Sequence, residues 1–214
     1  MMPAPSEVQE AAEQRCRAVR DGDLLPYGPL VRSGAFELIA TMFPRFMAHR
    51  GADAVMIDID AFFKTFGAER AAFIHLGTEF VRFMAETAPH DASSILLEFE
   101  WALFDVEISQ ASVPAWSDDS SPHRVRLNPT ARFIATPFDV LADAVPSDDI
   151  ADAHAIPHAY ALFRTAQHLV RVLPLRAVDV AQLEPLHTDD RPMDAADPWL
   201  VESLARGLLV PIYA

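Results

Sequence analysis

The chain has 214 residues, 51% of them hydrophobic, and a formal net charge of -14. A chain of this length makes one large domain or two small ones and buries roughly 70% of its unfolded surface, so it needs no disulfide staples. The acidic balance argues against nucleic acid as a partner, because phosphate neutralisation by basic groups supplies most of that affinity.

The residues before Asp23 predict a first helix, with Ser6 as its cap and Gln9 as capping-box partner, running to about Arg20. The acidic start has no apolar run, so it does not read as a secretory signal. Cys16, the single cysteine, permits no intramolecular disulfide and reads as an inert thiol. Tyr27 to Ala48 then reads as one amphipathic helix. Phe36, Ile39, Ala40, Phe43 and Met47 share a face, and Pro44 predicts a kink or stop near Phe43. Helical spacing recurs over Asp53–Phe66, with Val55, Ile59, Phe62 and Phe63, and over Glu69–Glu86, with Phe73, Leu76, Phe80 and Phe83. A fifth helix is expected from Ile95 to Ser109, capped by Ser93 or Ser94, with a stripe of Leu96, Phe99, Leu103 and Val106. Glu98, Glu100, Asp105 and Glu107 lie on the rest, mostly as a solvated side. Glu100 beside Trp101 also fits a packed structural acid paired with Arg32 or Arg45.

Residues 112–123 are polar and proline-containing and read as a linker, with Trp116 as an anchor against a neighbour. Beyond it the period changes. Arg124–Phe138 alternates like a strand, bent or at an edge where Asn128-Pro129 interrupts it. The acidic stretch 141–157 reads as irregular. His158 to Leu173 predicts a hairpin turning near Thr165-Ala166-Gln167, with Tyr160, Leu162 and Arg164 facing one way and Phe163 the other. Val178–Leu186 is helical, shortened by Pro185. The last helix has Asp197 as cap, Pro198 in its first turn and Gly207 at its end, followed by a short final strand.

The expected fold is therefore α+β. A helical domain (1–111) precedes a small antiparallel-sheet-plus-helices domain with winged-helix-like features (124–214). No segment reaches the roughly 18 apolar residues of a membrane span, so a cytoplasmic protein without membrane contact is expected. No nucleophile elbow or phosphate loop is present. His154 and His158, with Asp148, Asp149 and Asp152 upstream, have metal-ligand spacing on a helix, but Pro157 speaks against that helix. A solvated acidic loop is the plainer reading.

The order of short motifs resembles the HvfC/DUF2063 family. Tyr27, Leu30-Val31-Arg32, Phe36-Glu37-Leu38, Phe43-Pro44 and Glu100-Trp101 occupy the family's places. Asn128 and Pro129, the hairpin and the helix ending at Gly207 continue the match toward Val210. Family members are often described as DNA-binding. Some look like partners of DUF692-type multinuclear iron oxidative enzymes that modify ribosomally made peptides, with the methanobactin-pathway partner protein as a divergent relative. The resemblance implies an accessory protein with no catalytic, cofactor or metal residue of its own, the iron being in the partner enzyme. It also implies a DUF692-like enzyme and a precursor peptide as partners. An edge strand near Tyr160, Phe163, Arg164, Leu169 and Arg171 would carry the peptide, although the aromatic and leucine side chains there equally suit a core. A DNA-binding regulator is the rival reading, and a small metalloenzyme around His154 and His158 the weakest.

Overall fold

The computed structural model describes residues 27–65, 73–117, 122–145, 157–187 and 189–213. It is α+β: helices fill the N-terminal half, and two small antiparallel sheets with short helices make up the C-terminal half. The expected helix at 6–20, Cys16, and most of the acidic stretch 141–157 lie outside the described residues. The chain divides into two compact units: of the described residues, the first holds those up to Trp101 together with Val145, and the second holds Ala102–Ala144 and those from Pro157 onward.

The helices are α1 (Tyr27–Met42), α2 (Pro44–Arg50), α3 (Ala52–Thr65), α4 (Phe73–Thr87) and α5 (Ala92–Ile108). The proline does break the helix. Phe43 adopts φ -130° and ψ 63°, Pro44 takes the first helical position of α2, and Gly51 at φ 84° ends it. The buried face of α1 is rotated from the expected stripe. Ala35, Ile39, Phe43 and Phe46 are buried, while Phe36, Ala40 and Met47 are only half-buried. Phe36 and Ala40 precede the break, so the buried side of α1 is set by what packs on it and not by the proline.

The first unit's core is aromatic. Phe62 meets Phe80 at 5.8 Å and Phe83 at 5.6 Å between ring centroids, and Phe46 meets Phe80 edge-on at 6.1 Å. Tilted and edge-on pairs of this kind add about 0.5–1.5 kcal/mol each beyond area burial. Gly77 sits where a Cβ would come within 2.6 Å of the Met42 side chain, so its missing side chain lets α4 lie close to α1.

The N-cap of α5 is Asp91 rather than Ser93 or Ser94. Asp91 Oδ1 accepts from the Ser94 amide (2.9 Å), and Ser94 Oγ accepts from the Asp91 amide (3.0 Å). Ser94 is thus the reciprocal member of the box, three residues in.

Among the described residues the second unit holds six strands: β1 (Arg124–Leu127), β2 (Arg132–Thr136), β3 (His158–Arg164), β4 (Val170–Leu175), β5 (Arg191–Pro192) and β6 (Leu209–Ile212). Its helices are α6 (Ala177–Leu183), extended by a 3-10 turn at Glu184–His187, and α7 (Pro198–Arg206). Arg124–Phe138 is not one bent strand. β1 pairs with β5 and β6, whereas β2 pairs with β3, so the two halves belong to different sheets. Both halves keep a period of two, so alternation alone could not reveal the change of partner. The two-residue β5 carries no periodic signal and was not expected.

The α7 signals read from sequence all operate. Asp197 Oδ1 accepts from the Trp199 amide at 3.0 Å, Pro198 fills the first turn, and Gly207 closes the helix at φ 83°. Trp116 packs against a cluster of Val125, Leu186, Leu200, Leu204 and Leu209, as an anchor would.

Candidate functional site

The hairpin β3–β4 is where sequence placed the recognition residues. Its turn comes at Thr165–Leu169, with His168 in the left-handed region at φ 62°. Strand β4 runs through Pro174 rather than ending there. An outer strand tolerates proline where its N–H would point away from the ladder. Sheet order is β2-β3-β4, so β3 is central and β4 lies at an edge.

This order separates the five candidates. Tyr160 and Phe163 are fully buried, and so are Ala161 and Leu162 between them. Both faces of β3 are therefore covered, and the expected division into one inner and one outer face does not occur. Arg164 donates from Nη2 to the Ala111 carbonyl (2.8 Å) and from Nη1 to the Glu107 carbonyl (3.4 Å). It thereby ties the end of α5 to the sheet, as a cation suits a helix C-terminus. Only Leu169, 52% exposed in the turn, and Arg171, exposed on β4 opposite Phe163, face solvent.

At the far end of the hairpin a groove of about 470 Å³ opens beside Asp139, Leu141, His158 and Pro174. Tyr160 donates its hydroxyl to Asp139 Oδ1 at 2.7 Å, and the Leu141 amide donates to the same oxygen at 2.9 Å. Burial, then the neighbouring carboxylate, pushes the Tyr160 phenol up to about 12. The Tyr160 hydroxyl, then the Leu141 amide, holds the Asp139 carboxyl below its ordinary value. Sequence reasoning passed over Asp139, which reads as an ordinary turn residue after Pro137-Phe138. Only strand pairing brings Tyr160 to it.

The residues that carry the family resemblance sit at structural joints within each unit. Tyr27 opens α1, and Arg32 pairs with Asp60 at 2.7 Å. Glu100, 5% exposed, receives the Arg45 amide on Oε1 and the Phe46 amide on Oε2, both at 2.9 Å. Those amides are the second and third of α2, whose own N-cap Phe43 supplies no side-chain acceptor. A glutamate 54 residues away therefore caps the helix. The hydrogen bonds to its oxygens come from backbone amides, one of them that of Arg45, and the Arg45 charge acts on it as well. Desolvation raises its pKa, and the two amides oppose that rise. Trp101 donates to Thr78 Oγ1 at 3.4 Å.

Asn128, 2% exposed, uses both ends of its amide. Nδ2 donates to the Arg164 and Gly207 carbonyls, each at 2.8 Å, and Oδ1 accepts from the Thr130 amide (2.9 Å) and hydroxyl (2.7 Å). Pro129 is the exposed second residue of the turn that this side chain holds.

His158 starts β3 rather than a helix face, and His154 with Asp148, Asp149 and Asp152 lies outside the described residues. Among the described residues no group of three or more His, Cys, Asp or Glu side chains is arranged to hold a metal ion. No described helix is long and apolar enough to cross a membrane. No protein-family model and no curated protein matches the chain.

Proposed function

We propose that this chain is a non-catalytic partner protein. It docks on a DUF692-like iron-dependent oxidative enzyme and helps recognise a ribosomally made precursor peptide, with the iron held by the enzyme. The motif order from Tyr27 to Gly207 supports the choice of enzyme class. The observation that carries the peptide half is the outer edge of β4. Among the described residues no further strand pairs with it, and it offers Arg171 and the adjoining Leu169 to solvent. An exposed edge can add an extended peptide as one more strand, with backbone bonds giving affinity and side chains giving selectivity. The buried Tyr160 and Phe163 support such a strand from within rather than touching a peptide. The net charge of -14 favours basic over nucleic-acid partners.

Co-expression with a DUF692-like enzyme and its precursor tests the reading. The chain is expected to co-purify with the enzyme, and peptide modification is expected to stop when the chain is omitted. Undiminished modification without it overturns the proposal.

A further inference from the structure

The groove beside Asp139 is chemically lopsided. Its walls include the apolar Leu141, Pro157, Pro174 and Leu175. Among the described residues that line it, Asp139 is the one carboxylate and none is an arginine or lysine. The nearest arginine in sequence, Arg176 after β4, is turned to Asp179 by two bonds of 2.9 Å from Nε and Nη2. The bonds from the Tyr160 hydroxyl and the Leu141 amide both end on Oδ1, and the His158 ring and the Ala142 amide also act on this carboxylate. Asp139 itself is exposed, so a carboxylate oriented by the protein reaches solvent at the groove. His158 stands at the rim, opposite Thr136 in the β2–β3 register.

A fixed carboxylate at the end of an apolar trough fits a cation carried on a hydrocarbon stem. The stem lies on the apolar wall while the charged head meets the oxygen, as arginine and lysine side chains do on protein surfaces. We propose that this groove binds the side chain of an arginine or lysine in a peptide, with Asp139 as the acceptor and Leu141 and Pro174 as the apolar wall. Proline at position 174 sits directly opposite Tyr160 in the β3–β4 register, which places the groove at the end of the same edge strand. The inference rests on the peptide-recognition reading for the source of the cation. It adds a charge requirement that the strand edge alone does not impose.

The test is a titration of the full ¹⁵N-labelled chain, read by amide chemical shifts. Three probes are used: acetyl-Leu-Arg-Leu-amide, the same peptide with citrulline for arginine, and methylguanidine. The arginine peptide is expected to shift the amides of Asp139, Leu141, His158 and Ala159. Citrulline is expected to bind about tenfold more weakly or worse, the scale of a lost charge-assisted bond. Asp139→Asn, which keeps an acceptor for Tyr160 and Leu141, is expected to show the same loss. No response to the arginine peptide, an equal response to citrulline, or unchanged binding by Asp139→Asn overturns the proposal. Methylguanidine binding as tightly as the peptide overturns the peptide as the source. Should Asp139→Asn fail to fold, the citrulline comparison on the natural chain decides alone. A chain that binds the arginine peptide but leaves enzyme turnover unchanged sinks the partner reading and keeps the groove. A chain needed for turnover but blind to the arginine peptide does the reverse.

Discussion

The two units solve the same problem with opposite chemistry. Each contains backbone groups that its own local sequence leaves unpaired, and each recruits one distant side chain to pair them. In the helical unit the side chain is a charged acid, Glu100, which accepts from two amides at the start of α2. In the sheet unit it is a neutral amide, Asn128, which must donate to two carbonyls and accept from Thr130 at once. A helix start presents only donors, so a carboxylate suits it. A junction between a turn, a strand end and a helix end presents both kinds of group, and a side-chain amide, with two donors and an acceptor, can serve two carbonyls and an amide at once.

The sharpest way to break this comparison is at Asn128. Asn128→Ala strands two carbonyls and an amide in a buried place and is expected to cost about 3–4 kcal/mol in urea unfolding. Asn128→Asp is expected to cost at least as much, because an acceptor then faces two acceptors. Hydrogen exchange should rise near Thr130, Arg164 and Gly207. A loss below about 1 kcal/mol would remove Asn128 from its central place.

Next in size is Glu100. Glu100→Ala is expected to cost about 3 kcal/mol, since two amides lose a charged acceptor, with faster exchange at Arg45 and Phe46. Glu100→Gln keeps one acceptor and loses the desolvated charge, so it should cost less than Ala. Equal losses would show that packing, not capping, sets the effect.

A third contrast is in pH. Asp179 accepts from Arg176 and from the Trp199 ring nitrogen (3.1 Å), and the Arg176 guanidinium leads in holding its carboxyl at about 2 against an ordinary 3.8. A depressed folded pKa contributes stability that is present above the unfolded value and is lost as pH falls through the folded one. Arg176 is largely exposed, so solvent screening holds that contribution to about 1 kcal/mol. Stability lent by Asp179 should therefore fade as pH drops from about 4 to about 2, and Asp179→Asn should flatten that part of the stability curve. Glu100 runs the other way. Its raised pKa means that the folded state holds the proton more tightly, so its ionisation lowers stability as pH rises above the ordinary carboxylate range. An acid limb unchanged in Asp179→Asn would contradict the Asp179 assignment.

The smallest expected effect is at Asp105, whose 2.9 Å pair with Arg132 is half-exposed. Asp105→Ala should change stability by less than about 1 kcal/mol and lose even that in high salt.

Local rules carried the helical unit far. The helices described there, and α7, follow from apolar spacing and from punctuation by Pro44, Gly51 and Gly207, because each helix closes its own hydrogen bonds within four residues. The candidate recognition residues were less legible. Tyr160 and Phe163 alternate as strand residues should, yet alternation assigns faces only when one side of the sheet stays open. Here both are covered. Arg164 reads in sequence as a peptide contact, and only the carbonyls of Glu107 and Ala111 show what it holds.

The residues alone determined the α+β class, a hairpin turn near Thr165-Ala166-Gln167, the break near Phe43-Pro44 and the capped last helix. These depend on periods of two and 3.6 and on backbone preferences that act over a few residues. Tertiary structure decided that β1 and β2 enter different sheets, that β3 lies in the middle, that Glu100 caps a helix 54 residues away, and that Asp139 stands under Tyr160. Those outcomes depend on which distant segments meet, and side-chain chemistry names a needed partner type without saying where in the chain that partner lies.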